Sequence, residues 1–138
     1  MKRIVVDKKV CAGCLTCAMM CSSNKYGVTS LQMSSVKITG DESTASFTPQ
    51  LCICCTARSC VLACPTEALM LDEDTGIVLV DMERCISCEA CISACEYSGI
   101  SMIKNLDGKI CINVCDQCGG KPQCVKYCRQ GALQYVTV

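Results

Sequence analysis

Sixteen of the 18 cysteines in this 138-residue chain fall into four groups of four. In chain order the groups are Cys11, Cys14, Cys17 and Cys21; Cys52, Cys55, Cys60 and Cys64; Cys85, Cys88, Cys91 and Cys95; and Cys115, Cys118, Cys124 and Cys128. Groups one and three have the spacing C-x-x-C-x-x-C-x-x-x-C, whereas groups two and four have a longer middle loop. In such a run three close thiolates bind one iron-sulfur cube and the fourth binds another. The spacing therefore predicts four [4Fe-4S] clusters.

Two other uses of dense cysteine, zinc binding and disulfides, fit the spacing less well. Zinc sites bring two C-x-x-C pairs to one tetrahedral ion and do not require three cysteines at consecutive turns. Disulfides are disfavoured because the runs are too short to bridge internally without strain, and because the first residues show no signal peptide. The chain also has no histidine, so a His-ligated Rieske centre is excluded and each cluster is expected to be held by cysteine alone.

Cys54 and Cys111 stand outside the four groups. One interpretation makes them alternative ligands, with Cys54 in place of Cys52 or Cys55. The other, which we favour, makes them buried small apolar residues, as free cysteine often is.

The composition argues against several functions. The 13 Lys and Arg residues balance 13 Asp and Glu residues, which disfavours a nucleic-acid surface. Without histidine, and without a G-x-S-x-G, P-loop or G-x-G-x-x-G motif, the main catalytic templates are missing, so the chain is expected to be a non-catalytic protein. No apolar run is long enough to span a membrane, and the metal-binding interpretation predicts a cytoplasmic protein.

Short strands and helices are expected between the cysteines. β-like runs occur at residues 3–6, 68–71, 77–80, 100–103, 110–113 and 133–136, and turn residues at 74–76 and 105–108 predict two hairpins. The last two cysteines of each group lie four residues apart, which predicts a short helix in each group. Residues 34–48 are rich in Ser and Thr and are expected to form a surface excursion or a linker. The fold class is therefore α+β.

Across nearly its whole length the chain resembles the four-cluster iron-sulfur subunits of molybdenum and tungsten oxidoreductases, such as those of dimethyl sulfoxide reductase and formate dehydrogenase. Its compact form is similar to the small subunit of tungsten aldehyde oxidoreductases. Pro65 after Cys64 matches the family motif, but proline is missing after Cys21, Cys95 and Cys128.

The resemblance implies two nested bacterial ferredoxin-like lobes, an outer one at residues 1–45 and 105–138 and an inner one at residues 46–104. Group one then exchanges its last ligand with group four, and group two with group three. The implied ligand sets are Cys11, Cys14, Cys17 with Cys128; Cys115, Cys118, Cys124 with Cys21; Cys52, Cys55, Cys60 with Cys95; and Cys85, Cys88, Cys91 with Cys64. Spacing alone also allows sequential pairing of group one with two and of group three with four.

The expected function is electron transfer between a large catalytic subunit, with a tungsten or molybdenum pterin, and an external acceptor. Further electron-transfer subunits or self-association remain open as additional partners. The alternative is a free-standing polyferredoxin that carries electrons between enzymes.

Overall fold

The structure is a computed structural model that describes residues 1–137, so the last residue of the expected outer lobe, residue 138, lies outside it. The strands are β1 (Lys2–Val6), β2 (Lys37–Asp41), β3 (Ser46–Gln50), β4 (Leu69–Leu71), β5 (Val78–Val80), β6 (Ile100–Lys104), β7 (Ile110–Val114) and β8 (Leu133–Thr137). The helices are α1 (Thr16–Tyr26), α2 (Ser59–Ala63), α3 (Ala90–Ala94) and α4 (Gln123–Tyr127), with a 3₁₀ turn at Gln117–Gly120.

Within the described residues the eight strands form four two-stranded antiparallel sheets. The first strand pairs with the last, so that Ile4 lies opposite Tyr135 and the two ends of the described chain run side by side. The other pairs are the hairpins β2/β3, β4/β5 and β6/β7. The six expected strands, the two expected hairpins and the α+β class are confirmed.

The β2/β3 hairpin was not expected from the sequence. It occupies most of residues 34–48, where a surface excursion or linker was predicted, and the segment before it is buried at Ser34 and Val36. A side chain at Gly40 would come within 2.6 Å of the Phe47 ring, so this glycine allows the two strands to approach each other. The prediction failed because Gly, Pro, Ser and Thr are the residues that usually mark loops.

Each of the four expected helices contains the third cysteine of its group. Helices α2, α3 and α4 are only five residues long, and α1 extends to 11. Leu15, Arg58 and Glu89 precede the first three helices in left-handed backbone conformation, and none of the four helices has a capping side chain. Local propensity therefore contributes little, and the helices depend on packing.

The described part of the chain has two core clusters, and cysteines contribute to both. One combines Ile4, Val36, Leu51 and Leu133 with four cysteines of groups one and four. The other combines apolar residues of β4 to β7 with cysteines of groups two and three. In residues 1–137 no helix is long and apolar enough to cross a membrane. The division into two lobes stays a prediction.

Candidate metal centres

Three cavities in the structure are each lined by four cysteines. We name them after one member: the Cys14 cavity, the Cys55 cavity and the Cys88 cavity. Their cysteines are, respectively, Cys11, Cys14, Cys17 and Cys128; Cys52, Cys55, Cys60 and Cys95; and Cys64, Cys85, Cys88 and Cys91. They contain about 330, 310 and 330 Å³ of space free of protein atoms. Each therefore joins three cysteines of one group to the last cysteine of another.

The remaining grouped cysteines, Cys21, Cys115, Cys118 and Cys124, also come together; we call them the Cys118 set. Helices α1 and α4 pack against each other, and Cys21, Cys115 and Cys124 belong to one buried cluster. Burial raises the pKa of Cys115 to about 12, and the nearby charge of Cys21 raises it further. Burial likewise raises the pKa of Cys118, again with a contribution from Cys21.

The loop between the first two cysteines has the same conformation in all four groups. The residue just before the second cysteine has a left-handed backbone in each, with φ of 69° at Gly13, 53° at Cys54, 57° at Ser87 and 55° at Gln117. This turn directs the backbone N–H of the residue back to the first sulfur: Ser87 N lies 3.5 Å from Cys85 Sγ, and Gln117 N lies 3.3 Å from Cys115 Sγ. Such N–H···S bonds stabilise a thiolate ligand.

The last cysteine of three groups accepts a hydrogen bond from a downstream segment. Cys64 Sγ accepts from Ala68 N at 3.2 Å, Cys95 Sγ from Gly99 N at 3.3 Å, and Cys21 Sγ from Ser35 N at 3.4 Å. Each of these sulfurs is thus held by its own chain segment while it faces cysteines of a different group. This arrangement explains how a group can supply a ligand to a neighbour's cavity.

These cavities suit an all-cysteine iron-sulfur cluster. Each offers four thiol sulfurs inside largely apolar walls that include residues such as Ile38, Val78 or Ile112. The backbone supplies N–H donors to the sulfurs, as iron-sulfur sites require for tuning their potential. Within residues 1–137, no three Cys, Asp or Glu side chains converge tightly enough to hold a single metal ion.

Gly99 allows the segment after Cys95 to reach the Cys55 cavity. A Cβ at this position would lie 2.6 Å from the Cα of Cys52 and 2.7 Å from its backbone nitrogen, and backbone atoms cannot move aside as a flexible side chain can.

Gly99→Ala is therefore expected to push Cys95 and Cys52 apart and to destabilise the loaded protein by about 1–3 kcal/mol. The measurement is the urea concentration at which the visible iron-sulfur absorbance is half lost. Ser98→Ala, one residue earlier and exposed, is the control and should leave this midpoint within error. An unchanged midpoint for Gly99→Ala would mean that the close approach does not hold the two cysteines together.

A polar network that sequence analysis missed fixes the surroundings of Cys21. The Lys25 ammonium donates to Asn113 Oδ1 at 2.9 Å, to the Val114 carbonyl at 2.7 Å and to Ser35 Oγ at 3.2 Å. Asn113 is 1% exposed and donates to the Met33 carbonyl. Because Ser35 also donates its N–H to Cys21, the network joins the fixed positive charge of Lys25 to the Cys118 set. No sequence pattern marks these residues, since they are far apart in the chain.

Cys54 does not line the Cys55 cavity as the structure describes it, and its sulfur accepts a hydrogen bond from the Gln117 amide at 3.2 Å. Gln117 is 2% exposed, donates also to the Lys2 carbonyl and accepts from Tyr135. A hydrogen bond with Cys52 lowers the pKa of the Cys54 thiol to about 6. Cys54 is therefore buried, as expected, but in a polar network. Cys111 lies half-buried on β7, opposite Ile103.

The four cysteine sets lie in a line. Charge on Cys17 of the Cys14 cavity contributes to the raised pKa of Cys124 in the Cys118 set, after the larger effect of burial. Charge on Cys115 of that set contributes to the raised pKa of Cys52, whose main cause is the hydrogen bond with Cys54. Cys60 of the Cys55 cavity contributes in the same way to the raised pKa of Cys91 of the Cys88 cavity, where burial dominates.

The two ends of this line reach the surface. All 18 cysteines lie in the described residues, and two of them, Cys14 and Cys88, are exposed. They belong to the first and the last set in the line.

Comparisons with known proteins agree with this chemistry. Residues 43–138 match the 4Fe-4S dicluster domain family. The chain is 36% identical to the polyferredoxin-like subunit of aliphatic sulfonate oxidoreductase from Pyrococcus furiosus, over 97% of this chain and 77% of that subunit. It is 35% identical to subunit beta of NADH-dependent phenylglyoxylate dehydrogenase from Aromatoleum evansii, over 97% of this chain and 30% of that subunit. The thiosulfate reductase electron transfer subunit PhsB from Salmonella typhi is 30% identical, over 94% of this chain and 72% of that subunit.

Among solved structures, the chain is similar to one polypeptide of the active site complex BamBC of benzoyl coenzyme A reductase. The TM-score is 0.54 at 19% identity, over 99% of this chain and 76% of that polypeptide, which is a likeness of fold. The resemblance to iron-sulfur subunits of molybdenum and tungsten oxidoreductases is confirmed at the level of the family. This chain thus belongs to the 4Fe-4S dicluster domain family and is an electron-transfer iron-sulfur subunit of an oxidoreductase complex.

Proposed function

We propose that the chain holds four [4Fe-4S] clusters in a line and relays electrons between a larger catalytic subunit and an external acceptor. The ligands would be the cysteines of the Cys14, Cys55 and Cys88 cavities and of the Cys118 set. When bound, the clusters supply one-electron redox chemistry at low potential. The proposed lobes keep the expected boundaries at residues 45/46 and 104/105, and the expected cytoplasmic location stays a prediction.

The linear order of the cysteine sets supports this proposal more than any other observation. The Cys14 cavity adjoins the Cys118 set, which adjoins the Cys55 cavity, which adjoins the Cys88 cavity. Only the two terminal sets have an exposed cysteine among the described residues. A line with two accessible ends suits a subunit that lies between two partners.

The residues of the chain would hold and tune the clusters without reacting themselves. The backbone N–H groups of Ser87 and Gln117 stabilise negative charge on cysteine sulfur. The Lys25 ammonium, held by three acceptors, adds a fixed positive charge near Cys21. Apolar walls keep water out of the cavities, which lowers the local dielectric constant.

A larger catalytic subunit is the proposed partner. The relatives in Pyrococcus and Aromatoleum are named as subunits of an oxidoreductase and a dehydrogenase. A tungsten or molybdenum pterin enzyme, such as an aldehyde oxidoreductase, is the proposed class of catalytic subunit.

Native purification distinguishes this function from that of a free polyferredoxin. An affinity-tagged chain, expressed in its own host and isolated without oxygen, should elute with a larger polypeptide in fixed stoichiometry. Metal analysis of that complex should find tungsten or molybdenum in addition to iron. Elution of the fully loaded chain at its own size would contradict the subunit role and favour a free carrier.

A further inference from the structure

The formal charge of zero hides a separation of charge along the chain. Residues 59–103 contain eight carboxylates and one basic residue, Arg84. The rest of the chain contains 12 basic residues and five carboxylates. Arg84 is itself engaged, with its guanidinium 3.6 Å from the carboxylate of Asp81. The part of the molecule that contains the Cys88 cavity is thus strongly acidic.

Several of these acids surround the exposed end of the Cys88 cavity. Glu89 lines the cavity and is exposed. Glu67 is exposed and lies between Thr66 and Ala68, which both line it. Glu83, also exposed, stands two residues before the lining Cys85. We call Glu67, Glu83 and Glu89 the acidic rim.

Apolar side chains lie exposed inside the same region. Ile86 lines the Cys88 cavity and is 63% exposed, and Met82 nearby in the chain is 38% exposed. Exposed apolar residues bordered by charge are the usual composition of a protein-binding surface. Ile86 and Cys88 also bring the wall of the cavity to the solvent, where an electron would cross to another protein.

The opposite end of the line has the opposite charge. No acidic residue occurs between residues 8 and 40, whereas Lys8 and Lys9 precede Cys11. Arg129 follows Cys128 and is close enough to Cys14 to help lower its pKa, an effect due mainly to hydrogen bonding with Thr16. A protein attracted to one end would therefore be repelled by the other.

We propose that the acidic rim docks a redox protein whose own redox group is surrounded by lysine, and that single electrons pass to it at the Cys88 end. This proposal rests on the proposed function, since it assigns one partner type to one end of the line. One electron leaves the reduced cluster held by Cys64, Cys85, Cys88 and Cys91 and reduces the oxidised group of the partner. No covalent bond forms or breaks, and no proton moves.

The test uses the loaded full-length chain and mitochondrial cytochrome c, a small haem protein with a lysine-rich rim, as the probe. A water-soluble carbodiimide joins a carboxylate to an amine only where the two are in contact. At low ionic strength, anaerobic cross-linking followed by mass spectrometry should link cytochrome c lysines to Glu67, Glu83 or Glu89. Lysine-acetylated cytochrome c is the matched control probe and should give no such links.

Charge variants provide the second readout. In stopped-flow reduction of cytochrome c, the triple variant Glu67→Gln, Glu83→Gln, Glu89→Gln should react about tenfold more slowly at low salt, because electrostatic steering is lost. The control Asp41→Asn, Glu42→Gln, Asp107→Asn removes the same charge from exposed positions outside residues 59–103 and should react like the unmodified chain.

Three results would overturn the docking proposal: cross-links to carboxylates outside the acidic rim, equal slowing by the two triple variants, or rim cross-links to a second copy of the chain without cytochrome c. Iron content and reducible spins, measured on the same samples, keep this separate from the proposed function. A chain that holds its iron and accepts electrons but fails these tests contradicts only the docking proposal, whereas a chain that cannot be loaded contradicts the proposed function.

Discussion

Removal of iron and sulfide should leave this chain without a cooperative fold. The core clusters combine apolar residues with cysteines, and four of the eight buried residues in the first cluster are cysteines of groups one and four. The sheets have two strands each, and three of the four helices have five residues, so neither kind of element is stable by itself. The free energy of binding metal is then the free energy of folding.

The measurement is circular dichroism and urea titration of the chelator-treated chain, compared with the same chain after anaerobic reconstitution. The reconstituted chain should show a cooperative loss of structure together with its visible absorbance. The metal-free chain should show a broad, non-cooperative change from an already disordered baseline. A sharp transition of similar midpoint in the metal-free chain would show that the apolar residues suffice without clusters.

Cys21→Ser should damage the cluster held by Cys115, Cys118 and Cys124, and leave the cluster of its own group intact. Cys21 shares a buried cluster with Cys115 and Cys124, and its charge acts on both thiols. A serine hydroxyl is a poorer ligand for iron than a thiolate, so one iron should be lost from that corner or the cluster's potential should shift. The electron paramagnetic resonance spectrum should match that of Cys118→Ser.

Two further variants make this result interpretable. Cys111→Ser changes a half-buried cysteine on β7 that lies outside the four sets and should keep the normal spectrum. Cys55→Ser damages the Cys55 cavity and gives the spectrum expected if group one were paired with group two. A match of Cys21→Ser with Cys55→Ser would exclude the nested arrangement.

Much of the fold was predictable because cysteine spacing and turn residues are local signals. The C-x-x-C loops, the short helix at the end of each group and the hairpin turns near Gly76 and Gly108 each depend on a few neighbouring residues. The pairing of the first strand with the last could not be predicted, because β1 and β8 are at opposite ends of the chain. The β2/β3 hairpin was missed since its residues are typical of loops.

The grouped cysteines were identified from spacing, but their distribution among the cavities was not determined by it. Nested and sequential pairing fit similar loop lengths, and only the packing of α1 on α4 and of α2 on α3 brings distant groups together. The same is true of Lys25, Asn113 and Gln117, whose hydrogen-bond partners lie as many as 115 positions away. Residues that act through long-range hydrogen bonds leave no local pattern.

Iron and acid-labile sulfide, measured per chain after anaerobic reconstitution, test the central claim most directly. Four cubes held by the Cys14, Cys55 and Cys88 cavities and the Cys118 set require about sixteen iron atoms and about sixteen sulfide ions. Complete reduction should then add about four electrons per chain, one for each cluster. About eight of each ion and two electrons, as expected for only two clusters, would contradict a four-cluster relay.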